Sequence, residues 1–206
     1  MAEDGSSIIY RDARIEDLES LETIVPRSFF AVNPFMKELL PDTPAIREWW
    51  RRIYEDLISN PNSYLPIAID STTNAVVGTI TLDAVLQGQP AGGALTRYPG
   101  TEDRGKGWDE AIQHFAEHDN EAVGSRNRFL VEIMGVDSAY QGKGIGQRLV
   151  ADACQYADAK GWPIWLETSA AKGFYQKQKL GFQLIAKDED QGETGGQLLR
   201  EPGAKG

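Results

Sequence analysis

Cysteine is all but absent: Cys154 is the one thiol in 206 residues, which excludes an internal disulfide framework and every multi-cysteine zinc pattern. Histidine is nearly as scarce, with His114 and His118 alone. Basic charge is short as well, 21 Lys and Arg against 31 Asp and Glu, for a formal net charge of −10. Such a surface repels a phosphate backbone and no basic stretch offsets it, so nucleic acid is not an expected partner, whereas cations are. No apolar run reaches the length of a membrane span. The opening MAEDGSSIIY carries acids instead of a basic, apolar leader, so neither a membrane nor a secretory signal is expected. With a single thiol, these features point to a reducing, cytoplasmic setting.

What is present suffices for a core. Hydrophobic residues make up 41% of the chain and aromatics 9%, the composition of an ordinary soluble globular protein. Length and even composition predict a single domain over 1–206, of mixed α/β class. A strand is expected at Ile8–Arg11, then a helix with Leu18, Leu21, Ile24 and Val25 on one side. A second helix is expected from Thr43, carrying Trp49, Trp50, Ile53, Tyr54 and Leu57, and stopped by Asn60-Pro61-Asn62. Trp-Trp at this spacing reads as an anchor against a sheet. Two strands, 64–69 and 75–83, are joined by the hairpin composition Asp70–Asn74. The Gly/Pro-rich stretch 87–107 reads as a loop leading to a helix over 108–121. One strand is expected over 129–136, with Phe129, Val131 and Ile133 on one face and Leu130, Glu132, Met134 and Val136 on the other. Strands at 163–166, 182–187 and 197–200 and a helix over 171–179 complete the pattern.

The most informative stretch is Gln141-Gly142-Lys143-Gly144-Ile145-Gly146, a glycine-dense turn between a strand and a helix whose Ile145, Leu149, Val150, Ala153, Cys154 and Ala157 fall at helical spacing. Free N–H groups at the positive end of a helix, unshielded by side chains, form an anion site. Lys143 can add charge. A phosphate-binding P-loop would need Lys-Ser/Thr after the last glycine, and Gln147-Arg148 stand there. The dinucleotide fingerprint would need glycine at 147.

The pattern that remains, Gln141-x-x-Gly144-x-Gly146 after a strand ending at Val136, resembles the acyl-CoA loop of the GCN5-related N-acetyltransferases (GNAT). The similarity extends through Trp165–Ser169, Gly173-Phe174-Tyr175 and Leu180-Gly181-Phe182. It implies an α+β fold with a mostly antiparallel sheet splayed between its fourth and fifth strands, and acetyl-CoA in the cleft. By the same resemblance, backbone groups of Met134 and Val136 hold the pantetheine arm. The N–H groups of Gln141, Gly142, Lys143, Gly144, Ile145 and Gly146 take the pyrophosphate, with Ser169 and Tyr175 also at the cofactor.

Transfer to an amine needs a proton acceptor, a polarised carbonyl and a proton for the departing thiolate. The N–H of Val136 answers the second need by resemblance. Glu132 is the first candidate base, as a strand residue facing the same way as Met134 and Val136, and Glu167 is the second. Tyr175 is the candidate acid, although it precedes Gly181 by six residues where the family pattern has four. Phe30 and Phe35, with Glu132 and Glu167, are the candidate acceptor contacts. His114 and His118 are four apart, a spacing that can bind zinc, but the protease motif His-Glu-x-x-His is missing and they read as surface residues. Cys154 reads as a core thiol.

The function expected is transfer of acetyl from acetyl-CoA to a primary amine of a small molecule by direct attack. A protein N-terminus or lysine is the alternative acceptor, and a non-catalytic acyl-CoA-binding module the alternative class. Exposed strand edges leave monomer and homodimer both open.

Overall fold

The structure, a computed structural model, describes residues 7–31, 33–98, 100–168, 171–177, 180–187 and 195–204. The chain opens with strand β1 (Ile8–Asp12), followed by three short helices, α1 (Leu18–Leu21), α2 (Ile24–Phe29) and α3 (Pro34–Leu39), and by the long α4 (Pro44–Ser59). The single helix expected around Leu18–Val25 is thus two pieces. Side-chain caps start α3 and α4: Asn33 accepts the N–H of Met36 and Thr43 that of Ile46, each followed by a proline at the first helical position.

Strands β2 (Pro66–Asp70) and β3 (Val76–Ile80) come next, then β4 (Asp83–Val85). The stretch 87–107 is more than a loop, since it contains α5 (Gly93–Arg97), with Ala94 and Leu95 buried. After α6 (Trp108–Val123) come β5 (Arg128–Leu130) and β6 (Met134–Val136), then α7 (Ile145–Lys160), β7 (Ile164–Thr168), α8 (Lys172–Lys177), β8 (Gln183–Ala186) and β9 (Gly196–Arg200).

Two expected strands are therefore broken, and the breaks shape the molecule. Because 75–83 and 129–136 each kink midway, their halves join different sheets. One sheet has the order β1-β2-β3-β6 and the other β4-β5-β7-β9-β8. The pairing is antiparallel except at β5 and β7, which run parallel. The pleat of β2, with a bulge in β3 at Val77, sends Ile67, Ile69 and Val76 into a core under α1, α2 and α4, and Ala68, Val77 and Ile80 into a second core under α7. Trp49 and Trp50 anchor α4 in the first core, with ring centroids 4.8 Å apart. The apolar stripe of α7, Cys154 included, lines the second core as its spacing predicts. Among the described residues no helix is long and apolar enough to cross a membrane.

Candidate active site

The kink at 131–133 is a local rearrangement with a definite hydrogen-bond solution. Thr81, between β3 and β4, accepts the N–H groups of both Glu132 and Ile133 on its Oγ1, at 3.1 and 3.0 Å, and donates its own N–H to the Ile133 carbonyl at 2.9 Å. Two consecutive side chains then point the same way, as in a β-bulge. Val131, Met134 and Val136 pack on the α7 side, whereas Ile133 packs under α4, and the Glu132 carboxylate reaches the N–H of Leu95 at 3.1 Å. The expectation that Glu132 shares a face with Met134 and Val136 is thereby corrected. An uninterrupted pleat would have put it there, and the bulge reverses it.

Beyond the kink the two sheets part. The N–H of Val131 donates to the Trp165 carbonyl at 3.1 Å, the last ladder bond from this strand to β7 among the described residues. Past it, among the described residues, β6 pairs with β3 on one side only. The carbonyl of Ile133 and the N–H of Asp137 bond to that neighbour, at Thr81 and Val77. By alternation the backbone groups of Met134 and Val136 face the opening. Gln141 Nε2 donates to the Val136 carbonyl at 3.0 Å and to the Ser28 carbonyl at 3.3 Å, tying the glycine turn to the strand end.

The turn itself is open to a ligand. Gly142 and Gly144 have φ of +77° and +82°, and a Cβ built on Gly142 would meet nothing within 4 Å. Such a cradle at the start of the 16-residue α7 suits a pyrophosphate. A Cβ on Gly146 would come within 2.6 Å of Met134 Cε, so this glycine lets α7 approach β6. Lys143 places its ammonium 4.8 Å from the centre of the Tyr140 ring. Backbone donors, space and a helix terminus therefore fit coenzyme A at Met134–Val136 and Gln141–Gly146. Ser169 lies outside the described residues.

The other face of the opening carries acids. Glu132 lies below the first turn of α5, close enough that a Cβ on Gly93 would meet its Oε1 at 2.3 Å. Its Oε2 is buried and has no hydrogen-bond partner among the described residues. Burial, then the charge of Asp83, raise this carboxyl well above the usual carboxylate range, against the pull of the Leu95 and Ala94 N–H groups and of Arg97. Asp83 is itself fully buried and answered by Arg97 at 3.0 Å, which also reaches Asp56 at 2.8 Å. Glu167, at the open end of β7, is partly exposed, and its Oε2 lies 3.1 Å from His118 Nδ1 on α6. The loose pair of surface histidines thus includes one that faces a candidate base. His114 stands one turn away, its ring centroid 6.2 Å from that of His118. No cluster of three or more metal-ligating side chains occurs among the described residues.

Tyr175, the candidate acid, is buried among aromatic rings. Its ring is 4% exposed and lies between Phe174 and Phe182, with centroids 5.2 and 5.4 Å away. Burial pushes the phenol above its ordinary range, the more so beside Cys154. A phenol so buried holds its proton more firmly than an exposed one. Of the candidate acceptor contacts, Phe30 is half-buried at the end of α2 and Phe35 is exposed. The residues of α2 that reach β6 are Ser28 and Phe29, at 2.8 and 3.5 Å from a Cβ placed on Gly135. Sequence reasoning missed Ser28, and the only cue was its place beside the aromatic run.

Comparison with known proteins agrees with this geometry. Residues 110–184 match the family model for the acetyltransferase (GNAT) domain. The chain is similar in fold to a mosquito arylalkylamine N-acetyltransferase like 5b, at 18% identity and TM-score 0.67, covering 95% of this chain and 100% of that one. An agmatine N-acetyltransferase has 16% identity and TM-score 0.64, covering 93% and 97%. PaiA N-acetyltransferase from Thermoplasma acidophilum, solved with coenzyme A, has 17% identity and TM-score 0.56, covering 95% and 99%.

Proposed function

The chain belongs to the GNAT acetyltransferase superfamily, and from that premise we propose that it transfers the acetyl group of acetyl-CoA to a primary amine of a small molecule by direct attack. One observation carries the proposal. The outward edge of β6 at Met134 and Val136 lies between the glycine cradle of α7 and the acidic face under α4, α5 and α6. The backbone groups of Met134 and Val136 hold the pantetheine arm as a missing strand would, and the cradle takes the pyrophosphate. Acetyl-CoA supplies the activated acetyl group. The N–H of Val136 faces the opening, where it can polarise the thioester carbonyl.

The acceptor approaches from the face opposite α7. A net charge of −10 draws a cation there. The stretch 87–107 folds into α5 and packs on α4 and α6, and α2 lies over β6, which supports a closed pocket for a small amine over an open channel for a peptide. The similarity to enzymes named for arylalkylamines and agmatine favours the same class. Of the two candidate carboxylates, Glu167 lies at the opening, partly exposed and paired with His118. The Glu132 carboxylate turns under α5, its Oε2 buried and its Oε1 accepting the Leu95 N–H, so it positions that helix.

The test is free-thiol release from acetyl-CoA with a panel of polyamines, arylalkylamines, aminosugars, amino acids and a lysine-rich peptide, alongside calorimetry with coenzyme A. Release with a small amine supports the reading, and release with the peptide alone moves the acceptor to protein. Binding without release leaves a non-catalytic module, and no binding removes the cofactor assignment.

A further inference from the structure

We propose that His118 is the proton acceptor for the attacking amine, held in its working tautomer by Glu167. This rests on the acetyltransferase reading and assigns a residue within it. His118 Nδ1 lies 3.1 Å from Glu167 Oε2. A carboxylate can only accept, so Nδ1 carries the hydrogen, and in the neutral ring Nε2 then presents its lone pair. A base oriented by a carboxylate through its other ring nitrogen is an arrangement suited to proton transfer.

Packing fixes the pair at the opening. Phe115 precedes His118 by three residues on α6, and Trp165 precedes Glu167 by two on β7, so the two pairs form successive rungs between helix and strand. The first rung is apolar, a partly buried Phe115 against the fully buried Trp165 with ring centroids 5.0 Å apart. Trp165 also accepts the last ladder bond that β7 receives from Val131. The second rung therefore lies just where the sheet opens, on the face opposite the glycine cradle. The His118 side chain is 35% exposed and that of Glu167 22%, so an acceptor can reach the ring.

In the reaction the amine nitrogen forms its C–N bond to the thioester carbonyl carbon as the C–S bond breaks, its electron pair leaving on sulfur. The proton shed by nitrogen passes to His118 Nε2 and ends on the sulfur as free thiol, through solvent. His118 returns to its starting state.

The test compares kcat and KM of wild type, His118→Ala, His118→Asn, His114→Ala and Glu167→Gln with an amine that wild type acetylates. His118→Ala is expected to lower kcat by about 10²-fold or more, with coenzyme A affinity unchanged by calorimetry, and free imidazole is expected to restore part of the rate. His118→Asn keeps a donor toward Glu167 but no base, so it should keep the wild-type melting temperature and lose the same rate. Glu167→Gln should fall between, and His114→Ala should match wild type. In wild type, the ring 15N shifts of His118 should show a protonated Nδ1 and a bare Nε2. Full turnover in His118→Ala, a rate that imidazole does not lift, or the opposite tautomer overturns the assignment while leaving the acetyltransferase reading intact. A wild-type protein that acetylates no amine overturns both.

Discussion

Thr81 holds Glu132 out of the regular ladder: its Oγ1 accepts the Glu132 N–H at 3.1 Å and the neighbouring Ile133 N–H at 3.0 Å. One hydroxyl thus satisfies two backbone donors that a bulge would strand. Thr81→Val removes that acceptor, and an unsatisfied buried donor costs about 1–3 kcal/mol. Urea denaturation should show a loss of about 2 kcal/mol or more, and Thr81→Ser should recover most of it.

The glycine cradle makes a separate prediction. Gly144 begins α7 with φ +82°, a conformation that costs a residue with a Cβ about 1–2 kcal/mol. Gly144→Val should weaken coenzyme A binding tenfold or more by calorimetry, since it disturbs the N–H groups proposed to take the pyrophosphate. Lys143→Ala should have a smaller effect, because its ammonium lies over Tyr140.

Tyr175 distinguishes a packing role from an acid. Given its place between Phe174 and Phe182, Tyr175→Phe should keep the rate of thiol release within about threefold of wild type. Tyr175→Ala should lose about 3–5 kcal/mol of stability, as large-to-small changes of buried aromatics do. A large fall in kcat for the phenylalanine variant, at unchanged stability, would restore the acid.

Glu132 predicts a pH dependence of stability. Its carboxyl is raised above the ordinary glutamate value by burial and by Asp83, so folding favours its protonated form. That contribution is fully present below the ordinary value and is lost as pH rises through the folded one. Glu132→Gln lacks this titration. The difference in melting temperature, Glu132→Gln minus wild type, should therefore grow as pH rises from about 4 through the neutral range, read by calorimetric scans. A difference independent of pH would mean that the carboxyl is not perturbed.

The insert before the central strand hangs on a buried ion pair. Asp119 on α6 accepts two hydrogen bonds from Arg128 and one, at 3.0 Å, from the N–H of Gly92, just before α5. Removing one partner of a buried pair costs about 3–5 kcal/mol. Asp119→Ala should fall in that range by chemical denaturation and, on the proposed reading in which α5 borders the acceptor side, should raise KM for the amine more than for acetyl-CoA.

The glycine turn could be read from the sequence because its chemistry is local. Positive φ, free N–H groups and a helix start all lie within Gln141–Gly146. The stripe of α7 could be read for a similar reason, since helical periodicity alone selects its buried side. The caps of α4 and the position of β7 follow the same logic. The faces of Glu132 and His118 could not. Alternation assigns Glu132 to the side of Met134 unless a bulge intervenes, and the bulge depends on Thr81, 51 residues away in sequence.

The sequence by itself determined the α/β class, the glycine-dense turn and the family resemblance, since each rests on residues that are neighbours along the chain. The tertiary structure decided which acids face the opening, that Tyr175 is buried, and that His118 meets Glu167 across 49 residues. Those relationships arise only when the two sheets part at residue 131 and α6 packs across β7, and no local pattern encodes where separate elements meet.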